Sequence, residues 1–511
     1  MKKQSLRNFK SVSVIAMLPR NKRNFLFIAS VSTVVFLFGI FCLNDNDASG
    51  FRNLKLHKYF YDSESIANLF YFPSETLKER VRTTCYSLPN ANDIAYNNIY
   101  WQVFEMPNTK LYLFSAHYDD RPIHDTPFIH ILGEVTRKLN ISELRCLFWY
   151  NQKKNALASP VESVIYLSSD LKRKVSFRRI ASESVIISCR MPNVSHQRVP
   201  YAVGLIRKNT CGTINNNALK VHRKKDSRQK HFAVCMKGLQ FPDDLSIKLV
   251  EWIELNKLFG AEFFSFYIYS AHENVEKVLK YYSDAGVAES LRITLPGTLP
   301  NINEVRQKFY EGVGDAWPHE YIPINDCYMR NMKNTDYIVV ADLDELIVPL
   351  NSDSWLEMLQ RLSLYNVSTL SFADLYFWDE VNKCDSSIPC YLHFMQRTLR
   401  AKKHFEDKTI SHHYKSIHDT SKVVTVTHHF ERVCFEKCKR YYVPIEEAQL
   451  QHYRKTCIFD ITNKMCYQNF KKGSFVQNSL WKYRHKAVPA IQQVLEELNL
   501  LVSDNHTNYA T

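Results

Sequence analysis

Apolar residues come in short runs along most of the chain, and the spacing of the runs changes near residue 230. Before that point they are aromatic and β-branched, at 99–104, 111–116, 128–132, 146–150, 164–167, 185–189 and 201–206, with turn residues between. Strands at this spacing predict a small β-rich accessory domain over 81–219, and a sandwich is the layout they suggest. From 231 the pattern alternates. A strand at 232–236 precedes a helix opened by Pro242-Asp243-Asp244 and closed by Gly260. A strand at 263–269, a helix at 274–282 and a strand at 291–294 follow, then a helix through 326–332 and a strand at 337–341. Such alternation predicts an α/β fold with a doubly wound parallel sheet over 231–511. Between the two halves, Lys220, His222, Arg223, Lys224, Lys225, Arg228 and Lys230 show no apolar partner face, so 220–230 reads as a basic linker.

One apolar run is of another kind. Residues 25–43 carry no charge, follow Lys2, Lys3, Arg7, Lys10, Arg20, Lys22 and Arg23, and precede Asp45 and Asp47. This is long enough to cross a bilayer, and no small-x-small site follows at once. It reads as a transmembrane signal-anchor, with a cytosolic tail at 1–24, a stem at 44–80 and the rest in a lumen.

That topology changes what the composition means. The 511 residues, 45% of them hydrophobic, can bury more than one core. The net charge of +14 owes half its value to the seven basic residues of the tail, so the luminal remainder is no nucleic-acid footprint. Of thirteen cysteines, Cys42 falls in the apolar run and leaves an even set, which an oxidising lumen turns into disulfides. Cys434 and Cys438 lack the second pair that a zinc site needs. Glycan acceptor motifs at Asn140, Asn193, Asn366 and Asn505 agree with the luminal address.

The chemistry concentrates at the end of the strand at 337–341, where the apolar run stops in Asp342-Leu343-Asp344-Glu345. A buried strand of this type delivers its acids to the carboxyl edge of a sheet. Two carboxylates one residue apart can hold a hard divalent cation against a diphosphate. The spacing alone decides nothing, since Asp45-Asn46-Asp47 has it too. A strand at 372–377 runs into Asp379-Glu380, either of which offers a general base or a turn residue. Lys415 and Arg454 suit neutralisation of phosphate charge, and His428 or His452 adds a nitrogen donor that Mn2+ accepts. The group His117, Asp119, Asp120, His124 and Asp125 follows a strand and reads as a polar loop.

The ordered set Glu251-Trp252-Ile253, Leu258-Phe259-Gly260-Ala261, Phe266-Tyr267-Ile268-Tyr269, Asn325-Asp326-Cys327, Asp342-Leu343-Asp344-Glu345, Lys415-Ser416-Ile417 and His452-Tyr453-Arg454 resembles the catalytic region of the glycosyltransferase family 92 proteins. Ser270-Ala271 departs from the Asp or Asn that relatives often carry there for nucleotide contact. The resemblance implies a GT-A-type, Rossmann-like catalytic domain in a single-pass type II Golgi protein. It also implies inverting transfer of a hexose, galactose, from a UDP-sugar with Mn2+ to a glycan or glycoprotein acceptor, and its characterised relatives act on core fucose of N-glycans. On this reading Asp342 and Asp344 hold the metal with His428 or His452. Glu251, Lys415 and Arg454 bind the donor, and Asp379 or Glu380 is the base. The rivals are weaker. A P-loop NTPase needs G-x-x-x-x-G-K-[ST], which is absent, and a haloacid-dehalogenase-like phosphatase carries its D-x-D near the start of the domain. A catalytically inactive, membrane-anchored glycan-binding or scaffold protein is the third alternative.

Overall fold

The computed structural model describes residues 83–150, 155–167, 182–192, 199–208, 210, 216–224, 229–311, 316–364, 366–381, 383–404, 413–457 and 462–501. The expected tail, anchor and stem lie outside the described residues. No helix among the described residues is long and apolar enough to cross a membrane.

Apart from short 3-10 turns at Ala91–Asp93 and Ile141–Glu143, the regular elements of the described first half are strands. Its elements are β1 (Thr83–Ser87), β2 (Tyr96–Asn98), β3 (Trp101–Met106), β4 (Thr109–Asp119), β5 (Phe128–Val135), β6 (Leu144–Trp149), β7 (Asn155–Tyr166), β8 (Glu183–Arg190), β9 (Ala202–Arg207) and β10 (Leu219–His222). Neighbours pair in the order β10-β9-β6-β7-β8-β5-β4, and β10 then returns to β4 in parallel, Val221 opposite Ala116. The expected sandwich is therefore corrected to a closed seven-strand barrel, which leaves those strands no open edge. Alternate residues fill its interior, among them Leu113, Ile131, Phe148, Ile187 and Leu205, and the Cys146–Cys189 disulfide joins β6 to β8. The closing strand lies partly in the expected basic linker. Leu219 and Val221 are buried beside exposed Lys220, but four residues are too short a run for period-two alternation to stand out among charges. Lys224 is likewise engaged, its Nζ donating to Asn331 Oδ1 at 2.7 Å.

The second half begins with β11 (Lys230–Cys235), β12 (Leu239–Phe241), α1 (Ser246–Phe259), β13 (Ala261–Ala271), α2 (Glu273–Asp284), β14 (Ala288–Arg292), α3 (Trp317–Asn331) and β15 (Thr335–Val340). The ladders β14–β13, β13–β11 and β11–β15 are all parallel. Taking β11, β13, β14 and β15 as first to fourth, their order in space is third, second, first, fourth. Both faces of β11, β13 and β15 pack on apolar clusters, which is why they read as hydrophobic runs, whereas β14 at the edge is more polar. Phe232, Val234, Phe264, Phe266 and Val339 pack on α1 and α2, while Ala233, Cys235, Tyr267, Ile338 and Val340 pack on α3. The outer face of the barrel joins the second cluster through Trp101, Leu132, Ile165 and Ile186.

Local signals account for the helix ends. Asp244 Oδ1 accepts the Ser246 amide at 3.0 Å, and Gly260 closes α1 with φ 117°, a value that side chains disfavour. Helix α3 starts well ahead of the predicted 326–332, and its first turns escape a sequence reading because Pro318 and Pro323 argue against helix there. Pro318 stands in the first turn, where a missing amide costs nothing, while Pro323 lies inside the helix.

Beyond β15 the sheet is mixed rather than all parallel. It gains β16 (Glu345–Pro349), β17 (Thr369–Trp378), β18 (Leu399–Arg400), β19 (Tyr414–Asp419), β20 (Val423–Val426), β21 (Glu431–Cys434), β22 (Arg440–Val443), β23 (Ala448–Arg454) and β24 (Phe475–Val476), of which β20 and β21 form a separate ribbon. Strand β19 is antiparallel to both β15 and β17, so β17 runs the same way as β15. Strand β23 is parallel to β17, and β16 is antiparallel to β23. Disulfides Cys235–Cys327, Cys384–Cys390, Cys434–Cys438 and Cys457–Cys466 pin this half.

Candidate functional site

These directions bring chemistry to one edge of the sheet. Strands β11, β15, β17 and β23 all end there, and the oppositely directed β16 and β19 begin there. Lys237 follows β11, Asp342 and Asp344 follow β15, and Asp379 and Glu380 follow β17, while Arg454 ends β23. Glu345 opens β16 and Lys415 stands second in β19. Between β11 and β15 the strand order reverses, and ligands of open α/β sheets bind outside the carboxyl ends at such a switch point. Gly238, next to Lys237, has a packing reason, since a Cβ there would stand 2.2 Å from the Tyr269 ring.

The acids are not equivalent. Asp342 Oδ2 accepts from Lys415 Nζ at 2.7 Å and lies 3.7 Å from Lys237 Nζ. Burial would raise its carboxyl, but Lys237 and Lys415 hold it well below the usual carboxylate range. Glu345 Oε2 lies 3.0 Å from Lys415 Nζ and also accepts the Asp342 amide at 3.0 Å. Burial nevertheless pushes the Glu345 carboxyl up, and the nearby Asp342 adds to the effect. Asp344 is the more open of the pair, its side chain 38% accessible.

His452 stands beside Asp344 rather than Asp342, with Nε2 3.2 Å from Asp344 Oδ2. Its Nδ1 is 3.1 Å from Asp374 Oδ1 on β17. Burial alone would lower this imidazole, yet Asp374 and Asp344 raise it to about 10. A carboxylate behind one ring nitrogen with the other facing a second carboxylate is how metal-ligating histidines are oriented. Asp344 and His452 could hold a borderline cation such as Mn2+, which accepts oxygen and nitrogen together, once the cation displaces the proton from His452 Nε2. His428 lies apart from this pair: its Nε2 is 2.7 Å from Glu320 Oε2 on α3, whose Oε1 is 3.7 Å from Lys237 Nζ.

The remaining expected residues take other partners. Asp379 pairs with Arg397, and its amide donates to the Arg454 carbonyl at 2.9 Å. Glu380 is more exposed and pairs with Lys471. Arg454 reaches the centre, with its Nη1 3.4 Å from His452 Nε2. Glu251 departs from the expected donor contact. Its buried carboxylate accepts the amides of His393, Phe394 and Met395, capping the short helix His393–Gln396, while burial pushes its carboxyl up to about 7. Glu251→Ala would strand these buried amides and cost about 2–4 kcal/mol, measurable by denaturant unfolding.

Lys237, Glu320 and Asp374 were not among the expected residues. Lys237 directly follows a predicted strand, a position that could have been read. Asp374 interrupts an apolar strand, and a carboxylate in that setting demands a partner.

Of the group read as a polar loop, His117 and Asp119 are buried, whereas Asp120 and His124 are half-buried and Asp125 is exposed. Asp119, His124 and His130 offer donor atoms all within 4.8 Å of one another. Arg121 already supplies the positive charge there, donating from Nε to Asp119 Oδ1 at 2.9 Å and from Nη2 to Oδ2 at 2.7 Å. Its Nη1 donates to the carbonyls of Thr420 and Val423, both at 2.7 Å. The cluster therefore joins the barrel to the second half of the chain.

A family model described as glycosyltransferase family 92 matches residues 230–488, from the first residue of β11 into the helix Arg484–Glu497. It spans half of the chain, takes in every strand-end residue above and leaves the barrel outside. A comparison with curated proteins gave no match.

Proposed function

Because the chain belongs to glycosyltransferase family 92, we propose that it moves galactose from a UDP-sugar to a glycan acceptor, core fucose of an N-glycan, with inversion at the anomeric carbon. The observation that carries this reading is the meeting of Lys237, Asp344, Lys415, His452 and Arg454 at the switch point of the family-matched sheet. In a GT-A-type domain this edge receives the nucleotide diphosphate. Asp344 and His452 would hold a Mn2+, which when bound would supply Lewis-acid neutralisation of that diphosphate.

The protein groups do the rest. Lys237 and Arg454 face the departing phosphate charge, and Lys415 keeps Asp342 and Glu345 ionically satisfied while the site is open. Asp379 or Glu380 takes the proton of the acceptor hydroxyl as its oxygen attacks the anomeric carbon and the bond to UDP breaks. The five disulfides among the described residues support an oxidising, luminal address, consistent with a type II Golgi protein anchored through residues 25–43.

The test is UDP release by the full-length protein in detergent, with a panel of UDP-sugars, with and without Mn2+ and a core-fucosylated N-glycan. The expected result is turnover of UDP-galactose that needs both metal and glycan. Folded protein that turns over no UDP-sugar and binds neither UDP nor Mn2+ by calorimetry would overturn the proposal in favour of a non-catalytic glycan-binding protein.

A further inference from the structure

The segment 462–476 rests directly on the edge where the acids converge. The Cys457–Cys466 disulfide ties it to the end of β23. Trp378 Nε1 donates to Ser474 Oγ at 2.7 Å, and the Phe470 ring lies 5.4 Å from that of Tyr376, which in turn lies 6.1 Å from the His452 ring. Lys471 pairs with Glu380. The segment is therefore anchored at several points, all next to the site.

Its exposed side sets apolar Tyr467, Phe475 and Val476 among polar residues such as Gln468, Asn469 and Lys472. Tyr467 is 58% accessible, Phe475 42% and Val476 69%. Phe475 and Val476 form β24, the edge strand beyond β18, and Arg400 stands 4.3 Å over the Phe475 ring and steadies it. Tyr467 opens a π-helical turn in which the Lys472 amide donates to the Tyr467 carbonyl at 2.7 Å. Such turns are less favourable than α-helix and recur at functional sites. The exposed ring of Tyr467 and the partly exposed ring of Phe475, with Lys471 and Glu380 nearby, make a surface with apolar faces and hydrogen-bonding groups.

We propose that this segment is the acceptor wall of the enzyme, with Tyr467 and Phe475 stacking on the C–H faces of saccharide rings while Lys471 and Glu380 meet their hydroxyls. The occupant is a saccharide because sugars present this pairing of apolar ring faces and equatorial hydroxyls, and because the wall adjoins the carboxylates placed to deprotonate an acceptor. The inference rests on the transferase reading of the neighbouring edge and adds where the acceptor lies.

The experiment compares full-length wild type with Tyr467→Ala, Phe475→Ala, the double variant and Tyr467→Trp, using UDP-galactose and a fluorescent core-fucosylated N-glycan. Both positions are exposed, so folding is little affected. The acceptor KM is expected to rise about tenfold in each single variant and further in the double. The donor KM and the slow UDP release without acceptor should stay unchanged, and Tyr467→Trp should retain wild-type affinity. An unchanged acceptor KM in the double variant would overturn the wall. If wild type transfers nothing, the transferase reading fails separately. Direct titration with the same glycan then decides, as binding weakened by the double variant upholds the wall and binding unaltered by it refutes it.

Discussion

On the proposed function, Asp344→Asn is expected to lower sugar transfer by about 10^2–10^3-fold, the range for loss of one preorganised charge-stabilising group. The two acids of the D-x-D differ in their surroundings. Lys415 and Lys237 already satisfy Asp342, which is the less accessible of the two. Asp344 keeps an open carboxylate and has His452 3.2 Å away. The substitution keeps the shape and removes the charge, so its effect reads ligand binding rather than folding. Asp344 lies on a turn, with its carbonyl accepting the Tyr453 amide at 2.8 Å, a bond that asparagine retains. The measurement is UDP release against Mn2+ concentration, with thermal unfolding as the control. A variant that keeps the wild-type rate and the wild-type metal dependence would remove Asp344 from the site.

Much of this edge was legible because it needed only local information. An apolar, β-branched run ending in acids announces a buried strand and its carboxyl end, and the residues after β15, β17 and β23 were found that way. What escaped depended on contacts between segments far apart in the chain. Asp374 is intelligible only once β17 lies beside β23 and brings it to His452. Glu251 sits in a motif shared with the family, but its work is set by the amides of residues 393–395, which no spacing around 251 reveals. The barrel closed through a strand whose two inward residues were hidden among lysines and arginines. In the group Asp119–His124, charge density suggested a solvated loop, whereas Arg121 neutralises the acid and lets it be buried.

Lys415→Met tests the other half of the electrostatic argument. The ammonium is buried between two carboxylates, 2.7 Å from Asp342 and 3.0 Å from Glu345. Burial would lower its own affinity for a proton, but those acids raise it, so it stays charged at any physiological pH. Methionine fills similar volume and removes the ammonium shared by both acids, leaving Lys237 at 3.7 Å from Asp342 as a weaker counter-charge, a loss of about 3 kcal/mol. The deficit should shrink in acid. Glu345 already binds its proton more tightly than the ordinary value of 4.5, and losing Lys415 strengthens that tendency. A carboxyl whose folded pKa is raised contributes stability that is complete below the unfolded pKa and is lost as pH rises through the folded one. Wild type and variant should therefore differ more at pH 7.5 than at pH 5 when unfolded by heat in EDTA. Mn2+ should then raise the melting temperature of the variant more than that of wild type, because the cation replaces a missing positive charge beside Asp342. Equal stability of the two proteins at both pH values in EDTA would show that Lys415 is not the counter-charge of the acid pair.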